Sequence, residues 1–120
     1  MEYGHFPIEH SERPWGFFDQ FIKNQPCTVK LITVHPHESL SLQYHNHRAE
    51  YWVVISGSGL ITVGGERTDA VKGDRFEITE GQAHRVEAHA DGLLFLEIAV
   101  GDFDENDIVR LEDKYGRANT

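Results

Sequence analysis

Apolar and polar residues alternate along most of this chain in short runs. Residues 28–34, 40–45, 51–55, 60–63, 75–78, 85–89 and 93–100 are rich in β-branched or aromatic residues, or alternate with period two. That is the pattern of half-buried strands. Turn formers punctuate the runs: Pro36, Ser56-Gly57-Ser58-Gly59, Gly64-Gly65, Lys72-Gly73-Asp74, Glu80-Gly81 and Asp91-Gly92. Many strands at short intervals predict an all-β sandwich or barrel. No helical period is visible before Asp104. Residues 104–113 are expected to form a short helix or turn, with Asp104 as N-cap and acidic residues in the first turn. The segment before Thr28 reads as irregular.

One run has an unusual polarity. In Leu40-Ser41-Leu42-Gln43-Tyr44-His45 a strand places Leu40, Leu42 and Tyr44 on one face, and Ser41, Gln43 and His45 on the other. The polar face carries groups able to bind a metal, so it is expected to point at a cavity.

Composition narrows the picture. At 120 residues the sequence fits one domain, 1–120, and 39% hydrophobic content predicts a folded core. A formal charge of −9 argues against a nucleic-acid binder, which needs a basic footprint. It leaves room for an anionic small ligand, because a few inward-facing Arg or Lys can dominate one pocket. The single cysteine, Cys27, excludes an intramolecular disulfide and suits a reducing cytoplasm. No signal peptide and no membrane-spanning run is visible, so no membrane partner is expected.

Eight histidines are the compositional oddity. His45-x-His47-x-x-Glu50 packs three potential ligands into six residues, and His84 follows the turn at Glu80-Gly81. Imidazole and carboxylate together suit one divalent ion: Zn, Mn, Co, Ni or Fe. The bland alternative is a set of surface histidines on loops.

The spacing resembles the two motifs of the cupins, G-x5-H-x-H-x(3,4)-E-x6-G and G-x5-P-x-G-x2-H-x3-N. The second falls on Gly73, Thr79, Gly81, His84 and Ala88, with threonine and alanine where proline and asparagine are usual. The first, counted back from Gly57 as its closing glycine, falls on Glu50, His45, Gln43 and His37. The resemblance therefore implies Gln43, His45, Glu50 and His84 as the metal set, with His47 nearby but outside it. The other set, His45/His47/Glu50/His84, is the alternative. The implied fold is a single antiparallel double-sheet jelly-roll barrel. Its core is about residues 13–117, with the N-terminal segment and the residues after about 101 wrapped outside. A homodimer is expected, because cupins commonly dimerise.

Longer strings carry a closer resemblance. Arg13-Pro14-Trp15-Gly16, Ser41-Leu42-Gln43-x-His45-x-His47-Arg48-Ala49-Glu50-x-Trp52, Gly81-x-x-His84-Arg85, Asp107-Ile108-Val109-Arg110 and Glu112-Asp113-x-Tyr115-Gly116-Arg117 resemble the type II mannose-6-phosphate isomerase domain. In bifunctional enzymes that domain follows a nucleotidyl-transfer domain. No such domain is seen in this sequence, so the chain alone is not expected to make GDP-mannose. The resemblance implies aldose–ketose isomerisation of mannose 6-phosphate and fructose 6-phosphate. Such chemistry needs an electrophile at the sugar oxygens, a proton carrier and cations for the phosphate. Candidates for the proton step are His47, Lys30 and Glu97; for the phosphate, Arg48 and Arg85. Each has a plainer reading: Arg48 and Glu97 as members of structural ion pairs, Arg85 and Lys30 as solvent-facing, His47 as a supporting partner. Trp15 and Trp52 are read as packing aromatics, and Asp107 with Arg110 as a local pair. A non-catalytic sugar- or small-ligand-binding cupin and an iron-dependent dioxygenase are the competing functions.

Overall fold

The computed structural model describes residue 6 and residues 8–117. It is all-β: β1 (Glu9–Arg13), β2 (Gly16–Gln20), β3 (Thr28–Val34), β4 (Leu42–Tyr44), β5 (Arg48–Val63), β6 (Glu66–Val71), β7 (Arg75–Ile78), β8 (His84–Gly101) and β9 (Val109–Glu112). Among the described residues no helix is long and apolar enough to cross a membrane.

The two long strands organise everything else. β5 and β8 pair antiparallel from Arg48↔Gly101 to Val63↔His84, with register shifts between Val54 and Ser56 and between Gly57 and Gly59. Two strands were expected on each side of these points. The glycines bend the strands instead of ending them. Gly57 (φ 81) and Gly92 (φ 71) take left-handed backbone, and a Cβ on Gly57 would sit 2.1 Å from the Gly92 carbonyl oxygen.

The bend folds one sheet into two layers. In the first, β7 and β3 flank the 48–54 and 93–101 halves. In the second, β6 and β4–β9 flank the 56–63 and 84–88 halves. Val34, Trp52, Val54, Ile61, Ala70, Ile78, Val86, Ala88, Leu93 and Phe95 fill the space between them. On the outer face of the first layer Phe6 packs with Ala49, Tyr51, Ile98 and Val100, joined by Phe21 and Ile22. The N-terminal segment thus covers that face, as expected.

Three expectations fail. Residues before Thr28 are not irregular throughout, since β1 and β2 form their own hairpin. β6 was not foreseen. The expected short C-terminal helix at 104–113 is one turn followed by β9: the Asp107 amide donates to the Asp104 carbonyl, and then Val109 pairs with Tyr44. A segment this short gains little as an isolated helix. Pairing with β4 satisfies its backbone instead, so the residues after 101 are part of the sheet and do not merely wrap it.

Candidate metal centre

Strand alternation decides which side chains enter the space between the layers. Partners directly opposite in a ladder share a face. In the first layer the inward set runs through Glu50↔Ala99, Trp52↔Glu97 and Val54↔Phe95, and β3 adds Lys30↔Glu97. In the second layer it runs through Val63↔His84, Gln43↔His84 and Gln43↔Arg110. One end of the interior is hydrocarbon. The other gathers Lys30, Gln43, Glu50, His84, Glu97 and Arg110.

His45, just after β4, completes a compact donor set. His45 Nε2 is 3.5 Å from Glu50 Oε2, and His84 Nε2 is 3.8 Å from Glu50 Oε1. Donor atoms of the three residues all lie within 4.8 Å of one another, and all three residues are buried. Ligands tetrahedral about an ion at ~2.1 Å would be about 3.4 Å apart, so small side-chain adjustments close the set. Each imidazole is oriented by a backbone carbonyl. His45 Nδ1 lies 2.6 Å from the Asp107 carbonyl, and His84 Nδ1 lies 2.9 Å from that of Gln82. A carbonyl can only accept, so each Nδ1 carries the proton and each Nε2 presents a lone pair inward. That arrangement is typical of metal-ligating histidines.

The charge state fits as well. Burial pushes the pKa of both His45 and His84 below the ordinary imidazole value, which keeps them neutral. Burial would raise the Glu50 carboxyl, but the positive charge of His84 and His45 when they protonate in acid, with that of Arg48, outweighs it and holds the carboxyl below its ordinary value. His84 Nε2 is buried without a hydrogen-bond partner among the described residues. A buried acceptor without a partner is costly, and a cation between the imidazoles would satisfy it. His45, Glu50 and His84 therefore fit a divalent ion. Gln43 lies beside them. Its amide nitrogen is 3.5 Å from His45 Nε2, and its oxygen accepts from Ser41 Oγ at 2.6 Å. Turning the amide over would present the oxygen to the same space.

The other expected residues divide. Arg48 is buried in the site: Nε donates to Glu50 Oε2 at 3.0 Å, and a terminal nitrogen lies 3.1 Å from His45 Nε2. Its guanidinium also covers the Phe103 ring, 4.3 Å from the centroid. An ion on His45 would displace that one contact and leave the others. Lys30 faces inward, pairs with Glu105 at 3.0 Å and stacks 4.6 Å over the other cation's platform, Phe103. Glu97 is buried, and its carboxyl is pushed up to about 8 by burial first, then by the charge and hydrogen bond of Glu50. His47 is exposed in the turn after His45, and its backbone amide donates to Asp107 Oδ2. Arg85 is on the opposite face from His84, beside Glu87 and Glu112. Alternation puts its side chain on the face away from the His45, Glu50 and His84 donor atoms.

Sequence reasoning missed two site residues. Phe103 lies against both Lys30 and Arg48. Arg110, read as half of a local pair, stands opposite Gln43 on the inward face, and its Nε is buried without a hydrogen-bond partner among the described residues. The signal was the alternation of 109–112, legible once that segment is taken as a strand. Two cavities of about 270 and 330 Å3 lie around Thr33–His35 and touch none of His45, Glu50 or His84.

The fold is that of a cupin, a small barrel, and here it carries an inward histidine–carboxylate cluster. Residues 5–113 match the family described as "Mannose-6-phosphate isomerase C-terminal", and the chain belongs to that family. It is 40% identical over 107 residues to mannose-1-phosphate guanylyltransferase ManC of Salmonella typhimurium, covering 88% of this chain and 22% of that protein. It is 42% identical over 107 residues to xanthan biosynthesis protein XanB of Xanthomonas campestris, covering 88% and 23%. The chain thus spans less than a quarter of the length of these two relatives. A cupin protein from Bacteroides fragilis has the same fold, with a TM-score of 0.57 at 22% identity, covering 68% of this chain and 74% of that one.

Proposed function

We propose that this chain is a metal-dependent sugar-phosphate isomerase that interconverts mannose 6-phosphate and fructose 6-phosphate. The observation that carries the reading is the inward face. A neutral His45/His84 pair and the Glu50 carboxylate share it with a buried carboxyl, Glu97, and three cations, Lys30, Arg48 and Arg110. Membership of a family described by that isomerase supports it.

His45, Glu50 and His84 would hold the ion, and Gln43, with its amide turned over, would add a neutral oxygen donor. A divalent ion there would supply Lewis-acid polarisation of the sugar oxygens at C1 and C2. Arg110 and Arg48 receive the phosphate, for which planar guanidinium groups are well shaped. Glu97 carries the proton. It takes it from one of C1 and C2 and returns it to the other, while the hydroxyl proton crosses between the two oxygens through an enediol. Lys30 lies opposite Glu97 and balances its charge when it ionises. Phe103 keeps both Lys30 and Arg48 from water on one side. Arg48 and the Asp104–Asp107 turn bond over the donor residues, so entry of a sugar would require that segment to move.

A phosphate contact acts on ground and transition states alike, so its loss shows chiefly in KM. Arg110→Ala is expected to raise KM for mannose 6-phosphate about tenfold or more, from the ~1.5–3 kcal/mol of a hydrogen bond to a charged group, with little change in kcat. Glu97→Gln is expected to do the reverse and lower kcat by about 100-fold or more. Equal KM in Arg110→Ala and wild type removes Arg110 from the phosphate site. A non-catalytic sugar-binding cupin is the second reading. Ala88, where the motif has asparagine, sits within the hydrocarbon core and adds no polar group to the interior.

A further inference from the structure

Asp107 touches neither the donor atoms nor the space between them, yet it makes three bonds to the turn that carries His45. Its backbone carbonyl holds His45 Nδ1 at 2.6 Å. Its carboxylate oxygens accept separately from the next two backbone amides, Oδ1 from Asn46 and Oδ2 from His47, both at 2.9 Å. We propose that Asp107 is the positioning residue of the metal centre, fixing both the tautomer of His45 and the turn that aims its Nε2 at Glu50. This rests on the metal reading above and names the residue on which the ligand geometry depends.

The arrangement works because each bond addresses a different freedom of the ligand. An imidazole can carry its proton on either nitrogen, and a carbonyl at Nδ1 selects the form with a bare Nε2. The ring can also swing with the backbone that follows it: the His45 carbonyl accepts from the Gly81 amide at 2.7 Å, but past the end of β4 no ladder holds Asn46 and His47. Two amides bonded to one carboxylate immobilise that backbone. Asp107 is itself held from both sides: its amide donates to the Asp104 carbonyl at 2.9 Å, and two residues on Val109 enters the ladder opposite Tyr44. From the other direction the Asp102 amide donates to the His47 carbonyl at 3.0 Å. Residues 102–109 therefore close over 44–48, and a segment 62 residues away in sequence sets the position of the ligand. Asp107 aligns a donor for the ion. It is not a catalytic residue, because it reaches no reacting atom.

The test is the affinity of the purified protein for Zn2+ or Co2+, measured by competition with a chromophoric chelator. Loss of a group that orients a ligand typically weakens metal binding about 10–100-fold. Asp107→Ala is expected to fall in that range, and Asp107→Glu, which keeps two acceptor oxygens, to recover part of the loss. Asp113→Ala removes a carboxylate from the same tail, one bonded to Arg117 instead, and should leave affinity unchanged. A second readout separates alignment from general loosening. The His45 Nδ1 proton of the Zn-loaded protein should exchange slowly by NMR, and faster in Asp107→Ala at an unchanged urea midpoint. Affinity for Asp107→Ala within twofold of wild type overturns the proposal. A drop shared equally by Asp113→Ala also overturns it, because the effect then belongs to the tail as a whole. A wild-type protein that binds neither ion removes the metal reading itself and this proposal with it.

Discussion

His84→Ala is expected to bind a divalent ion at least 100-fold more weakly than wild type, and to lose turnover with the metal. His84 is 1% exposed, and its Nε2 faces Glu50 with no other partner among the described residues. The imidazole is already neutral and oriented by the Gln82 carbonyl, so the wild-type site has little left to arrange before binding. Removing it takes away one of three close donors. A change to a merely supporting group costs about 10–100-fold, and a ligand should cost no less. The same assay separates the two ligand sets. Gln43→Ala should weaken binding, whereas His47→Ala, whose ring lies exposed in the turn, should not. If His47→Ala strips the metal while Gln43→Ala retains it, the ligand set is wrongly drawn.

The second large effect is on stability. Trp52 is 1% exposed, packs against Phe95 at 5.0 Å between ring centroids and meets His84 edge-on at 5.4 Å. Its Nε1 donates to Glu50 Oε1 at 3.0 Å. Trp52→Ala opens a cavity between the two layers and is expected to cost about 3–5 kcal/mol. Trp52→Phe fills most of that space and removes the indole N–H from a buried carboxylate. Its cost should be near the ~1.5–3 kcal/mol of a hydrogen bond to a charged group. Urea denaturation with an unchanged m value measures both. Loss of under about 1 kcal/mol in Trp52→Ala would mean that this tryptophan is not the link between core and site. Its sequence reading as a packing aromatic agrees with its place in the core, but nothing in a linear pattern announced the bond to Glu50.

What could be read from the chain depended on whether the signal was local. β3 and β7 fall where alternation put them, because each has one wet and one dry face and is bounded by turn formers. β5 and β8 were each read as two strands, since Ser56–Gly59 and Asp91-Gly92 carry turn residues. Glycine permits left-handed backbone for a turn and for a bulge alike, and only the partner strand decides which. β9 was hidden for the opposite reason. The acids just before it, Asp104, Glu105 and Asp107, suit the first turn of a helix, and its strand state comes from pairing with β4. The cost fell on the site. With 109–112 unread as a strand, Arg110 had no face, and Asp107 had no reason to lie beside His45. The inward orientation of Ser41, Gln43 and His45 was legible because alternation within one strand exposes it. The placement of Arg85 on the opposite face follows from the same rule applied one residue past His84.

Dependence of sugar-phosphate isomerisation on an ion in the inward histidine–carboxylate cluster is measured by stripping the purified protein with a chelator, restoring Zn, Mn, Co, Ni or Fe one at a time, and following conversion of mannose 6-phosphate to fructose 6-phosphate in a coupled assay. About one ion bound per chain is expected, with no turnover in the stripped protein and recovery with at least one of these metals that is abolished in His84→Ala. Turnover that persists undiminished after the ion is removed would contradict that expectation, as would a fully loaded protein that leaves mannose 6-phosphate unchanged.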